Sequence, residues 1–391
     1  GNKWIELKGG LPTTAVRDLD IQVRENDLAL ATFGRGFYVL DNYSPLRNID
    51  ESTLENENYK LFPVKDALMF IKRSTTFHSL GSSFFKADNP PFGATFTYYI
   101  KEAPKSLKET RQEKEKDLVK ENKPVYYPSW DELRAEDTEE KSYLLFVVSD
   151  AQGNVVRKLK AGIKQGINRI TWDLKYADTN PVKSVTDKNE SGTPVMPGTY
   201  SVEMFTSIDG VVTKIAGPET FEAKVLNNAT LPAEDRAAMF VFHKKISEFN
   251  RAVEGVLNST RDLLAQTDVL IYAIKQTPEA PNSLMDNALR IKEETQDILQ
   301  HLYRDNTIAE RNEPTSPTVY DRLNELAWGT WQTTSAPTQT QNINYQVATE
   351  EFEPLLIKLR SLLEVEVPNL EAEMERYGAP WTPGRVPGWN K

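Results

Sequence analysis

Residues able to do chemistry are few in this 391-residue chain, and their types narrow the field before any fold is considered. Cysteine is absent, which removes disulfides, thiol nucleophiles, zinc–thiolate sites and iron–sulfur clusters together. The three histidines, His78, His243 and His301, are far apart in sequence, so a histidine metal site would require all three to converge. No GxSxG, HExxH, GxGxxG or P-loop pattern occurs. No catalytic, cofactor-binding or metal-ligating residue is therefore assigned, and no cofactor is expected.

Two other residue groups invite a reading. The carboxylates Asp131/Glu132 and Glu136/Asp137/Glu139/Glu140 have the chemistry of glycoside hydrolysis, which needs two carboxyls about 5–10 Å apart across a sugar. They sit in a highly charged stretch, where neighbouring acids are expected to form a solvated surface. Tyr126, Tyr127 and Trp130, with Trp328, Trp331, Trp381 and Trp389, offer rings on which sugars could stack. Trp328 and Trp331 fall on an expected helix that must bury something, which favours packing over ligand contact. Arg35, between two glycines, is expected to pin a turn by a hydrogen bond or ion pair. Asp18, Asp20, Asp173 and Asp178 suit calcium by type, but none belongs to the alternating oxygen loop of an EF-hand. The candidate ligand contacts are thus Arg35, Trp130, Trp328, Trp331 and Trp381.

Charge and hydropathy limit the partners. The chain has 47 basic and 57 acidic side chains, a net charge of −10, with both signs spread along its length. No broad basic surface is available for nucleic acid or anionic lipid. No apolar run approaches the roughly 18 residues of a membrane span, and GNKWIELKGG has no apolar signal core.

The elements that must position these residues fall into three segments. In 1–48, the apolar residues Val16, Leu19, Ile21 and Val23, then Leu28 and Leu30, then Phe37, Val39 and Leu40 give three short strands. Their tight turns lie at Glu25-Asn26-Asp27 and Gly34-Arg35-Gly36. Three strands cannot bury both faces alone, so this sheet is expected to pack against more sheet. Residues 49–225 begin in a polar linker and continue as strands around 95–100, 142–148, 155–159, 166–174, 197–205 and 211–215, separated by Gly and Asx turns. That pattern predicts an antiparallel sandwich, with Trp172 and Tyr200 as packing residues. A charged insertion at about 104–141 interrupts it, its centre Lys105–Lys120 reading as an exposed helix.

From 226 to 391 the period becomes helical. Met239, Phe242, Ile246, Phe249, Val253, Val256, Thr260, Leu263, Thr267, Leu270 and Ile274 form one long stripe, ended by Pro278 and Pro281. Ser283 with Asp286 predicts a capping box for a second helix. Ser316-Pro317 predicts the start of a short helix carrying Leu323, Leu326 and Trp328. The Thr/Gln/Asn-rich stretch 332–346 reads as a loop, and a last stripe from Phe352 to Met374 reads as a helix kinked at Pro368. The expectation is an antiparallel helical bundle with an extended tail, APWTPGRVPGWNK.

Gly1-Asn2-Lys3-Trp4, Gly10-Leu11-Pro12, Val16-Arg17-Asp18-Leu19 and the run Ala31-Thr32-Phe33-Gly34-Arg35-Gly36-Phe37-Tyr38-Val39-Leu40-Asp41 resemble the last blade of BNR-repeat, sortilin-type β-propeller proteins. GNKW is similar to the end of an Asp-box, S-x-D-x-G-x-x-W. The resemblance covers about the first 42 residues, and the tail is similar to the ending of the same family. GxNRITWDL and PGTYSVEM resemble immunoglobulin-like or fibronectin-type modules of bacterial exported proteins. Many members of the propeller family, from Bacteroidetes-like bacteria, carry a glycosyl hydrolase assignment. The resemblance implies a propeller-blade remnant, an immunoglobulin/fibronectin-like β-sandwich and a helical bundle in an exported protein. With no catalytic constellation beside this scaffold, the expected role is non-catalytic and accessory, structural or in glycan or protein interaction, with the upstream propeller of the same protein as partner. The alternative is a sialidase-like glycoside hydrolase whose active site lies mainly in upstream blades.

Overall fold

The structure is a computed structural model that describes residues 10–49, 56–71, 87–182, 184, 192–226, 234–331 and 333–385. Gly1–Trp4, His78, Phe84-Phe85 and Trp389 lie outside the described residues. Helix accounts for 43% of the described residues and strand for 24%, so the protein is mixed β and α. It divides into two compact units, one of Gly1–Leu174 with Pro197–Leu226 and one of Lys175–Met196 with Asn227–Lys391. Residues 175–196, expected within the sandwich segment, therefore group with the helices.

The first unit opens with an antiparallel sheet of β1 (Val16–Gln22), β2 (Asp27–Thr32) and β3 (Phe37–Leu40) in that order. Asn26 adopts φ 57°, and Gly34 and Gly36 adopt φ 75° and 78°, the left-handed backbone that these turns require. The register sets Leu19 beside Leu30 and Ile21 beside Leu28, with Leu30 beside Tyr38 and Leu28 beside Leu40, giving one apolar face. Phe37 and Val39, beside Ala31 and Ala29, occupy the other face. No residue of the three strands is buried. The sheet is tied to the rest of its unit by an ion pair of Glu25 with Lys65. Arg169 adds hydrogen bonds to the carbonyls of Asp41 (2.7 Å) and Asn42 (2.9 Å).

Two further sheets face one another in this unit. One is β4 (Tyr59–Leu61), β6 (Ala94–Ile100) and β9 (Gly166–Trp172), all antiparallel, with β6 central. The other has the order β5 (Ala67–Met69), β11 (Val211–Val225), β10 (Gly198–Ile208), β7 (Tyr143–Asp150) and β8 (Val155–Gly162); only β5 pairs in parallel. Period-two alternation sends Tyr200, Val202, Met204 and Thr206 of β10 inward. Rings meet across the gap: Phe146 lies 4.9 Å from Tyr98, Phe96 5.6 Å from Phe221, and Trp172 5.2 Å from Tyr200. Trp172 is fully enclosed. β11 runs on to Val225, beyond the expected end at Ile215, because Phe221 and Ala223 fill this core.

In the second unit α3 (Arg236–Lys275), α4 (Asn282–Leu302), α6 (Val319–Trp331), α7 (Gln339–Ser361) and α8 (Val367–Arg376) share one apolar core, with a short α5 (Asn306–Ala309) between. The stripe read from Phe242 to Ile274 is buried on α3. Thr260 on α3 and Thr295 on α4 are buried in this core because each hydroxyl donates to the carbonyl four residues back, at 2.7 Å.

Three expected helix starts move. Ser283 does not cap α4: Pro281 occupies the cap position and no side chain bonds there. α6 is opened by Thr318, whose hydroxyl accepts from the Asp321 backbone while Asp321 accepts from the Thr318 backbone, instead of by Ser316. The stretch expected as a loop to 346 is helical from Gln339, because Thr338 and Gln341 form a capping box that the amide-rich composition concealed. Before Pro368, which has no N–H to bond four residues back, the chain makes one wide turn at Leu362–Glu366 and then continues as α8.

Candidate interaction site on the charged insertion

The insertion is a pair of helices, α1 (Leu107–Lys120) and α2 (Trp130–Thr138), and the second was not expected as a helix. Each begins in a capping box, Ser106 with Glu109 and Ser129 with Glu132. Arg111 fastens them together. Its Nε and Nη2 donate to the two oxygens of Glu136 at 2.5 and 2.9 Å, and its Nη1 donates to Glu115 at 2.6 Å. Glu139 accepts from the Leu107 backbone N–H at 2.9 Å, closing the base of the pair at the N-terminus of α1.

This geometry answers the question of paired carboxylates. The Ser129 backbone and hydroxyl hold the Glu132 carboxyl below its ordinary range, and the Arg111 guanidinium does the same for Glu136. A general acid of a glycosidase needs the opposite shift. These acids bind helix ends and an arginine.

The tip of the helix pair also leaves apolar residues in water. The connecting segment carries Val125, Tyr126, Tyr127 and then Trp130 at the first position of α2; the three aromatic residues are 81%, 78% and 69% exposed. Tyr127 and Trp130 meet edge to face, with centroids 6.2 Å apart and planes at 65°. Polar groups flank them in pairs: Lys120 with Asp117, Lys123 with Glu121 and Arg134 with Asp131.

The other candidates are placed separately. Arg35 is exposed, and its turn is held by Thr32, whose backbone N–H and hydroxyl both donate to the Gly36 carbonyl at 3.1 and 2.6 Å, so the expected role of Arg35 as the pin is corrected. Trp328 is 69% exposed: the buried stripe of α6 is Val319, Leu323, Leu326 and Thr330, and Trp328 falls outside it. The side chain of Trp331 lies outside the described residues. Trp381 carries the Arg385 guanidinium over its ring at 4.6 Å. Arg385 also donates to Glu375 at 2.9 Å, which docks the tail on α8.

Asp18 and Asp20 accept from the next backbone N–H groups, at 2.9 and 2.8 Å. Among the described residues no group of histidines and carboxylates is arranged to hold a metal, and no helix is long and apolar enough to cross a membrane. His243 is buried on α3, where desolvation lowers its pKa, and His301 on α4 pairs with Asp297. Sequence reasoning passed over α2 and Val125, although Ser129-Trp130-Asp131-Glu132 carries the S-x-x-E signal of a helix start. Comparison with protein-family models, with curated proteins and with solved structures finds no match for this chain.

Proposed function

We propose that the chain is a non-catalytic accessory region of an exported BNR-propeller protein. In this reading residues 1–48 are a remnant of the last blade, the facing sheets are an immunoglobulin- or fibronectin-like sandwich, and the helices are an antiparallel bundle. The observation that supports it is the sheet β1–β3, which leaves Phe37 84% exposed, exposes Leu19 and Val39, and buries none of its residues. Three strands in that condition lack the burial that stabilises a sheet, so they call for further β-structure against their faces. The upstream propeller of the same protein supplies that cover. The insertion provides a second contact, to a glycan or a protein.

Amide hydrogen exchange on this chain and on a version extended upstream through the propeller tests the reading. The amides of β1–β3 should exchange fast in the short chain and slowly in the long one, with β6 and β7 protected equally in both. Equal exchange of β1–β3 in the two chains overturns it. Turnover of a glycan by the short chain alone overturns the non-catalytic assignment, whereas turnover by the long chain only moves the activity to the upstream blades.

A further inference from the structure

The two edges of the β1–β3 sheet are not alike. The Thr32 N–H donates to the Gly36 carbonyl, so in the antiparallel ladder the bonded pairs of β2 and β3 are Leu30 with Tyr38 and Leu28 with Leu40. The N–H and C=O groups of Phe37 and Val39 therefore point away from β2, and among the described residues none pairs with them. By the same alternation Ala29 and Ala31 bond β1 through Asp20 and Asp18, which turns Leu19 and Ile21 outward on the opposite edge. There the donors are already taken: the Leu19 N–H bonds the Asp18 carboxylate at 2.9 Å, and the Ile21 N–H bonds that of Asp20 at 2.8 Å. Two aspartates thus close the β1 edge to an incoming strand, and β3 is left open.

β3 also lacks the residues that guard an edge. Phe37-Tyr38-Val39-Leu40 has no charge and no proline, whereas β8, at the free edge of the five-stranded sheet, carries Arg157, Lys158 and Lys160. Its pairing with β2 holds the strand extended before anything binds. Beyond Leu40 the edge is occupied by Arg169, which donates to the carbonyls of Asp41 and Asn42. The open run is therefore Phe37–Leu40, with Arg35 shortly before it and Asp41 directly after it.

We propose that this edge pairs with β3 of a second copy of the chain, antiparallel about a two-fold axis at Tyr38. In that register Phe37 of each copy bonds Val39 of the other through both backbone groups, and their exposed side chains lie side by side on one face. Arg35 of each copy falls opposite Asp41 of the other, so opposite charges meet at both ends of the apolar run. A parallel strand, or one displaced by two residues, loses both matches, which makes this strand the complement of itself. Pairing stops at two copies, because the outer edges of the joined sheet are then the two closed β1 strands. So short a contact belongs to the weak, reversible class of interfaces. The inference goes beyond the reading above, which concerns cover for the faces of this sheet, and does not rest on it.

Sedimentation velocity of the full chain from about 10 µM to about 1 mM tests it. A reversible monomer–dimer equilibrium should appear, with nothing larger. Val39→Lys should weaken it by about tenfold or more, and Ile21→Lys, on the closed edge, should leave it unchanged. Arg35→Asp and Asp41→Arg should each weaken it, and the double exchange should restore it, since each new charge then meets its opposite across the axis. Circular dichroism checks that the variants fold; where Asp41→Arg does not, Val39→Lys and Arg35→Asp decide. Three results overturn the proposal: a monomer throughout the range, a dimer that survives Val39→Lys, or a folded double exchange no better than its single members. The exchange comparison on β1–β3 is made at low micromolar concentration, where the chain is monomeric, so the failure of either experiment leaves the other reading standing.

Discussion

Phe37 and Leu19 stand on opposite faces of the β1–β3 sheet, so replacing each with serine separates what this chain needs from what a covered sheet needs. Both side chains are mainly in water, at 84% and 59% exposure. Removing them from this chain should change the free energy of opening the sheet by no more than about 0.5 kcal/mol, the scale of surface substitutions. In the chain extended upstream, covering Phe37 recovers the part of its burial now missing. Complete burial of such a side chain is worth about 1.5–3 kcal/mol, so 84% of it is about 2 kcal/mol, and the same reasoning gives about 1–2 kcal/mol for Leu19. Native-state hydrogen exchange of the central strand β2 measures the opening free energy directly in each of the four cases. A gap between long and short chains at one residue only identifies the covered face. Equal costs in the two lengths at both residues refute the reasoning, because the sheet would then stand uncovered in the longer protein too.

Three further predictions concern what stabilises each unit by itself. Gly93 adopts φ +123°, and a Cβ there would run into the carbonyl oxygen of Trp172, so Gly93→Ala should destabilise the facing sheets by about 3 kcal/mol through strain and overpacking. A thermal midpoint unchanged in near-ultraviolet circular dichroism would sink this account. Thr338→Ala removes the cap that starts α7 within an amide-rich stretch and should cost about 1 kcal/mol, read as a lower urea midpoint of the helical signal at constant slope. Burial lowers the pKa of His243, so the folded protein keeps it neutral where the unfolded chain takes up a proton. Its contribution to stability is complete above the unfolded value of about 6.5 and falls as the pH drops from there toward the depressed folded value. His243→Leu should flatten the helical unit's stability between about pH 7 and 5, and an unaltered slope in urea titrations at those pH values contradicts the assignment.

Regular elements that bury one face were legible in the sequence. The alternation in Thr199–Phe205 and the three-and-four spacing from Phe242 to Ile274 each follow from a single face meeting a core, and both elements form where the pattern sets them. Of the elements stabilised by polar groups, α1 was legible as an exposed helix from its mixed charges, and others were not. α2 buries nothing and is held by a capping box and ion pairs, and the first half of α7 starts in a capping box and reaches the core mainly through Tyr345 and Ala348, too few residues to show an apolar period. Ser283 and Ser316 satisfied the cap pattern locally, yet the helices begin elsewhere, at Asn282 and after Thr318, which exchanges its own pair of hydrogen bonds with Asp321. The candidate contacts divided for a similar reason. Residue type marked Trp130 and Trp328 as able to stack, but only the placement of the α6 stripe decides that Trp328 lies outside the core.

The two exposed apolar surfaces of the first unit differ in how much order they already possess, and that difference bears on what each can receive. Among the described residues the β1–β3 sheet is tied to its unit through Lys65, which pairs with the Glu25 carboxylate and donates to its carbonyl, and through the Arg169 hydrogen bonds, and its apolar residues lie on both faces. Covering both faces takes large, shape-matched surfaces, and the many contacts this brings offset the ordering of a weakly held sheet. The insertion tip has the reverse character: few rings, but a mount fixed by two capping boxes and a two-pronged arginine before anything binds. A small ligand makes too few contacts to order a flexible loop and still bind, so it requires that fixity. Arg111→Met removes the two-pronged contact between α1 and α2 and should lower the helical signal of the insertion while leaving the exchange of β1–β3 untouched, because the sheet takes no part in that contact.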